Sequence, residues 1–452
     1  MCFGDKILDY KDDLLRDLDD LISVRSLSCS DPKESERALD LMLDKAREMG
    51  FAVKKVSSCS GHIEYGEGSD IAAVLAHVDV VPAGSGWRSE PFALTERDGR
   101  YYGRGVADDK GPAITALYCL KALKDNGIVP KRRIRLIIGA AEETGMTDMQ
   151  EYFSSEEMPS MAFTPDSDYG ICLREKGIMQ LEISAPTHDG TVLTEMRAGT
   201  AVNAVPAQAY ALVDCTESED NSLRRFADAK PGEYDFIYTM DGLDIHAKGK
   251  AAHASTPGQG LNSATHLIRI LAANFGQLPL GSLCSFLDDA IGIETDGMSL
   301  GIACSDKESG ALTVNVGKIE INSDICRCEI DIRYPISADS GGILRRVRQR
   351  AAIDGLKTRL MNHEYPLSVE PDAPIINILS KAYKTITGEE PELYSTGGGT
   401  YARTLNNNGV AFGPTLPGDE THIHDADESI DTGNFWKHAR ICLEAIKGLA
   451  GA

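Results

Sequence analysis

Ile7, Tyr10, Leu14, Leu18, Leu21 and Ile22 recur at helical spacing, which predicts an amphipathic helix over about residues 6–25. A second helix is punctuated at both ends. Asp31 can cap it, Pro32 suits its first turn, Glu34 can complete a capping box, and Gly50 ends it. Two nearly continuous apolar runs follow, IAAVLAHVDVV (71–81) and RIRLIIGAA (133–141). Between them GPAITALYCLKALKDNG (111–127) reads as a helix with a glycine stop. Apolar strands alternating with helices indicate an α/β sheet covered on both faces.

After about residue 175 the pattern changes. IMQLEISA, AYALVDC, LDIHAKG, LTVNVGKIEI and CRCEIDIRYPI are short strands with alternation, interrupted by the helical NSATHLIRILAANFG. This predicts a separate α+β domain inserted into the first. From about residue 366, DAPIINILSKAYKTITG returns to helix, GVAFGPTLPG reads as strand and loop, and TGNFWKHARICLEAIKGLA is a closing helix. The expected organisation is α/β: a first domain in two parts, 1–175 and 366–452, with a mixed, mostly parallel sheet, and an inserted α+β domain over 176–365. Repeats, low-complexity segments and linkers are absent.

Composition narrows the partners. The chain is 42% hydrophobic and 25% charged, enough for a large core without disulfides or a structural metal. A net charge of −23 argues against nucleic acid or an anionic membrane, and most of it serves solubility. The 11 cysteines are scattered without a C-x-x-C, the usage of reduced thiols in a cytoplasm. The acidic N-terminus lacks the apolar core of a signal peptide, and no apolar stretch approaches the ~18 residues of a membrane span. A cytoplasmic protein is expected.

In open α/β sheets, ligands collect at the carboxyl ends of strands. His77 and Asp79 in AHVDVVPAG share one face if the strand continues, which suits an imidazole on a metal with a carboxylate on its other N–H. Asp108 and Asp109 lie in the glycine-rich turn YGRGVADDKGP. Glu142 and Glu143 close the second apolar run, Asp166 follows FTP, and His422 and His424 stand in the acidic stretch PGDETHIHDADE. Singly, these read as capped turns, an Asx turn or a solvated loop. Together they supply two histidines, several carboxylates and no required cysteine, the ligand set of a two-metal hydrolytic site.

The order and spacing of HVDVVPAGSGW, GRGVADDKGP, EETG, FTPDSDYG, EKG, HASTPGQGLN and the final HxxxE resemble the co-catalytic zinc exopeptidases, which include aminoacylase, carboxypeptidase G, carnosinase and succinyl-diaminopimelate desuccinylase. VNAVPAQA, IDIRYP and STGGGTYARTL resemble the bacterial dipeptidase V-like branch in particular, and the likeness runs from about residue 10 to the C-terminus. The resemblance implies that His77, Asp108, Glu143, Asp166 and His424 hold two divalent ions, zinc first, with manganese and cobalt sharing the ligands. Asp108 would bridge, with Asp109 a neighbour and no ligand. His424 is chosen over His422 because it precedes Glu428 by four residues. Asp79 would orient His77, and Glu142 would be the general base. The inserted domain becomes a lid over a catalytic domain. In it His253 would touch the substrate, Asn203 its carbonyl region, and Arg333 its carboxylate, against the plainer reading of an ion pair between Arg333 and Asp331. Gly398 and Gly399 would line the substrate's C-terminal side. The sequence departs from the family pattern at Ser85, where Asp is common, and at Asp427, where Asn is usual; the stretch NSAT is also looser than usual, with Asn262 retained. The resemblance implies a dipeptidase acting on small peptides, with an N-acyl-amino-acid amidohydrolase or carboxypeptidase as the alternative. The long lid implies a monomer rather than a homodimer.

Overall fold

The computed structural model describes residues 2–27 and 31–451. The chain divides into two units. One comprises the residues up to Arg174 and those from Leu367 onward; the other is Glu175–Pro366.

The first unit is built on a mixed sheet whose strands lie in the order Ala52–Lys55, Ser60–Tyr65, Arg133–Gly139, Ile71–His77, Met161–Thr164, Gly409–Ala411, Ile171–Glu175 and Leu367–Ser368. Its centre, from Arg133–Gly139 to Gly409–Ala411, is parallel. Ser60–Tyr65 pairs antiparallel with both Ala52–Lys55 and Arg133–Gly139, and Gly409–Ala411 pairs antiparallel with Ile171–Glu175. Successive side chains on the central strands serve opposite cores, as the two-residue strand period requires. Ala72, Val74, Ala76, Leu136 and Ile138 face the larger core, which holds residues of the helices Lys11–Ser23, Pro32–Glu48, Lys110–Asp125, Pro374–Thr387 and Thr432–Leu449. Ala73, Leu75 and Ile137 face a smaller one with Met149, Tyr152, Tyr401 and Leu405. Both faces are covered, so the run 71–77 is buried at every position.

Several boundaries differ from those predicted. The first helix breaks into a 3₁₀ segment, Phe3–Tyr10, and the α-helix Lys11–Ser23. The 3₁₀ segment seats closely on Thr432–Leu449: Gly4 N donates to Glu444 at 2.7 Å, and a β-carbon at Gly4 would stand 2.6 Å from Arg440 O. The capping box at Asp31 is not formed. Asp31 does cap Lys33 N at 3.1 Å, but its own N–H is donated to Leu27 O, and Glu34 pairs with Arg37 instead. The strand predicted to run to 81 ends at His77. Beyond it Val80 N turns to Ser26 O. The helix Thr147–Ser155 after the two glutamates was not anticipated.

The second unit is an eight-stranded antiparallel sheet, in the order 233–238, 243–248, 208–213, 193–198, 313–321, 326–334, 177–184 and 357–364. Its core joins Leu181, Ile183, Ala211, Ile245, Ile330 and Ile332 to residues of the helices Glu217–Ala227, Ser263–Phe275 and Ser340–Ile353. Between the core positions stand charged side chains paired across strands, such as Arg359 with Glu182 at 2.9 Å and Lys318 with Glu329 at 3.2 Å. Among the described residues, no helix is long and apolar enough to cross a membrane.

Candidate active site

The parallel centre of the sheet brings three ends that carry candidate ligands to one edge. His77, the last residue of its strand, sits opposite Gly139 in register, and Asp166 follows the neighbouring strand by two residues. Past Gly139 the chain turns, with Gly145 N on Glu142 O at 3.1 Å and Met146 N on Ala141 O at 3.0 Å, so both glutamates project from one turn. Asp108 lies just before the helix Lys110–Asp125. His424 comes from a loop in which His422, His424 and Asp427 all take left-handed backbone conformations (φ 53°, 65° and 59°), uncommon for residues other than glycine.

These side chains meet around Asp108. Its Oδ1 is 2.9 Å from His77 Nε2, and its Oδ2 is 3.0 Å from His424 Nε2. Glu143 Oε1 is 3.1 Å from His424 Nε2, and Asp166 Oδ2 is 3.9 Å from His77 Nε2. Atoms of His77, Asp108 and Glu143 that could take a metal ion lie within 4.8 Å of one another, as do those of His77, Glu142 and Asp166. His77 is fully buried; His424 keeps 53% of its side chain exposed.

Electrostatics are unbalanced in a manner that suits cations. Burial and the neighbouring Asp166 push Glu142 well above the usual carboxylate range, and burial with Asp108 does the same to Asp166. Burial and Asp108 also raise Glu143. Burial opposes a charged imidazole at His77, yet hydrogen bonds to Asp108 and Asp79 hold it well above its ordinary value; His424 is raised likewise by Asp108 and Glu143. Burial works against the Asp108 carboxylate, but both imidazoles hold its pKa down. The carboxylates repel one another, and the two charged imidazoles offset only part of that repulsion, since Glu142, Glu143 and Asp166 stay raised. Imidazole nitrogens and carboxylate oxygens are the donors that borderline divalent ions take, so the residues fit such ions.

Asp79 does more than face His77. His77 Nδ1 is 3.0 Å from the Asp79 main-chain oxygen and 3.4 Å from its Oδ1. The Asp79 carboxylate also receives Glu142 N on one oxygen and Glu143 N on the other, each at 3.2 Å. Hydrogen bonds to a charged acceptor are worth about 1.5–3 kcal/mol each, so Asp79 pins the glutamate turn as well as the imidazole. Asp109 is fully buried and accepts His77 N at 3.0 Å.

Residues 73–448 match the model of peptidase family M20/M25/M40. The chain belongs to this family.

Relatives of this M20 peptidase agree along its whole length. It is 33% identical over 461 residues to a Bacillus subtilis (strain 168) protein provisionally named a dipeptidase, YtjP, covering 98% of this chain and 99% of the relative. It is 32% identical to a provisionally named dipeptidase of Staphylococcus saprophyticus, covering 98% of each. Among solved structures, human carnosine dipeptidase 1 shares the fold with TM-score 0.62 at 14% identity, covering 100% of this chain and 98% of that one. An M20 family metallo-carboxypeptidase, Sso-CP2 from Sulfolobus solfataricus, does so with TM-score 0.61 at 15% identity, covering 97% and 99%. The protein is therefore a metallopeptidase of a metal-dependent family.

The remaining residues named from the sequence lie elsewhere in the M20 chain. Gly398 and Gly399 are half-buried in the loop after Leu393–Thr396; Arg403 packs against Gly399 and donates to Gly398 O at 2.9 Å. In the second unit, Asn203 and His253 are exposed and adjacent: Ala254 N donates to Asn203 O at 2.9 Å. The His253 ring is 2.7 Å from Ser255 Oγ. Arg333 is buried and holds Asp331 through two hydrogen bonds, at 2.6 and 3.0 Å, so the ion pair weighed from the sequence is present.

Sequence reasoning missed a support beneath the site. Asp148 accepts Ala140 N at 2.8 Å and Ala141 N at 2.9 Å, binds the Tyr401 hydroxyl, and thereby anchors the chain entering the glutamate turn. Tyr401 also meets His77 edge-on at 6.1 Å. The tyrosine is inside STGGGTYARTL, but a motif does not show which distant carboxylate its hydroxyl meets.

Proposed function

We propose that this M20 peptidase is a dipeptidase that hydrolyses the peptide bond of unblocked dipeptides with two divalent ions, zinc first. The observation that carries the reading is Asp108, whose two oxygens each meet a different histidine, as a ligand shared by two ions would. His77 and Asp166 would complete one set of ligands, Glu143 and His424 the other. When bound, the ions would supply Lewis acidity and bring the pKa of a water from 15.7 toward about 7.

The chain's own residues would do the rest. Glu142 would accept the proton of the attacking water at its carboxylate and pass it to the leaving amine. Asp79 would keep Glu142 and Glu143 apart in role by fixing their backbone amides. We assign the unit 175–366 as a lid. His253 would donate a hydrogen bond to the developing oxyanion, and Asn203 would hold the carbonyl region. Arg333, its guanidinium plane preset by Asp331, would bind the free carboxylate, and Gly398 and Gly399 would line the C-terminal side of the substrate. The scattered cysteines, all free among the described residues, support a reducing compartment, the cytoplasm, and the long lid supports a monomer.

A panel of dipeptides, each assayed free and N-acetylated with zinc, manganese and cobalt in turn, tests the reading. The free form should be preferred. Equal or better turnover of the acetylated form would establish the acylase alternative.

A further inference from the structure

We infer that Glu428 and Arg104 are positioning residues that lock three ligand-bearing segments together before any ion is bound, an inference that rests on the two-metal reading. Glu428 is fully buried, yet both its oxygens are fully used. Oε1 accepts Ala107 N at 3.0 Å and Asp108 N at 3.2 Å; Oε2 accepts Gly105 N at 3.0 Å and Arg104 Nη1 at 2.7 Å. The turn that presents Asp108 is thus wrapped on one carboxylate, and that carboxylate sits four residues past His424.

Arg104 extends the lock. It is 1% exposed, and its Nη2 donates to Asp425 O at 3.0 Å, next to His424, and to Pro82 O at 3.3 Å, in the segment leaving Asp79. Its guanidinium stands over the Trp87 ring at 5.3 Å. One buried ion pair therefore contacts the segments carrying His77 and Asp79, Asp108, and His424. Burying two charges costs several kcal/mol per ion unless their polar atoms are matched; four donors match Glu428, and both Nη atoms of Arg104 are paired while its Nε is not. A hydrophobic pair would fill the same space without this cost, but it could not hold three amide N–H groups and two carbonyls at fixed spacing. The pair buys geometry: Asp108 keeps 2.9 and 3.0 Å to histidines on separate segments.

Glutamine at 428 should break this. Its NH₂ must replace one oxygen, and either oxygen faces two donors. Wild-type protein is first titrated with zinc by calorimetry and metal analysis. Fewer than two ions per chain would refute the two-metal reading itself, independently of Glu428. Glu428→Gln should then bind at least one ion about 10–100-fold more weakly, change the absorption spectrum of the cobalt-loaded protein, and lower kcat with KM nearly unchanged. Wild-type metal affinities and an unaltered cobalt spectrum in a folded Glu428→Gln protein would overturn the inference. Hydrogen exchange on metal-free wild type tests it without a variant: the amides of Gly105, Ala107 and Asp108 should already be protected, and free exchange there would overturn it equally.

Discussion

Glu142 and Glu143 are neighbours in the chain with different company. Glu143 reaches His424, while Glu142 stands with His77 and Asp166. If Glu142 only moves a proton, Glu142→Gln should retain its metals and lose about 10²–10⁴-fold in kcat. Metal analysis beside steady-state kinetics checks this, and loss of metal would make Glu142 a ligand. His422 and His424 separate as sharply. His424 Nε2 contacts Asp108 and Glu143, so His424→Ala should lose a metal ion, whereas His422→Ala should keep both. The opposite pattern in metal stoichiometry would reverse the assignment.

At the scale of elements, the strand Arg133–Gly139 must end in a residue without a side chain. A β-carbon on Gly139 would overlap the Tyr401 hydroxyl and the Asp148 carboxylate, both fully buried. Neither can withdraw, because Asp148 also holds Ala140 N and Ala141 N. Gly139→Ala should therefore cost about 1–3 kcal/mol of stability by overpacking, read from denaturant midpoints, and should weaken metal binding as the glutamate turn shifts. Elements with strong periodicity and punctuation, such as Lys110–Asp125, were legible from the sequence. The 3₁₀ start of the chain was not, because its tightening comes from contact with the last helix, which spacing alone cannot express.

For the whole molecule, acid sensitivity follows from buried neutral histidines. Burial alone lowers His438 to about 3; burial and then the adjacent Arg135 lower His62 to about 4. An unfolded histidine titrates near 6.5. Below that pH the unfolded chain binds more protons than the native one, so stability falls as pH drops, by about 1.4 kcal/mol per pH unit for each histidine. His438 Nδ1 lies 3.0 Å from the Tyr169 hydroxyl, a contact glutamine can keep, so the difference in unfolding free energy between wild type and His438→Gln should shrink by roughly that slope between pH 6.5 and 5. Urea unfolding at a series of pH values measures it. Removing metal acts on the same molecule by linkage: a chelator should abolish activity and lower the melting temperature, and restoring zinc, manganese or cobalt should return both.

The order of apolar and polar residues alone determined that this chain builds a two-sided α/β sheet with an inserted α+β unit, because burial on both faces, or on one, writes a different period into a strand. The motifs, by their order, identified the family. Only the tertiary structure decided how the acids are shared out. Asp79, read as a partner for one imidazole, turned out to hold two backbone amides as well. Glu428, read as a marker of register, proved to be a buried acceptor for four donors. Contacts between segments more than 300 residues apart, such as Glu428 with Gly105, leave no period in the sequence. They exist because a parallel sheet brings the ends of distant strands to one edge, where charges must find each other or a cation.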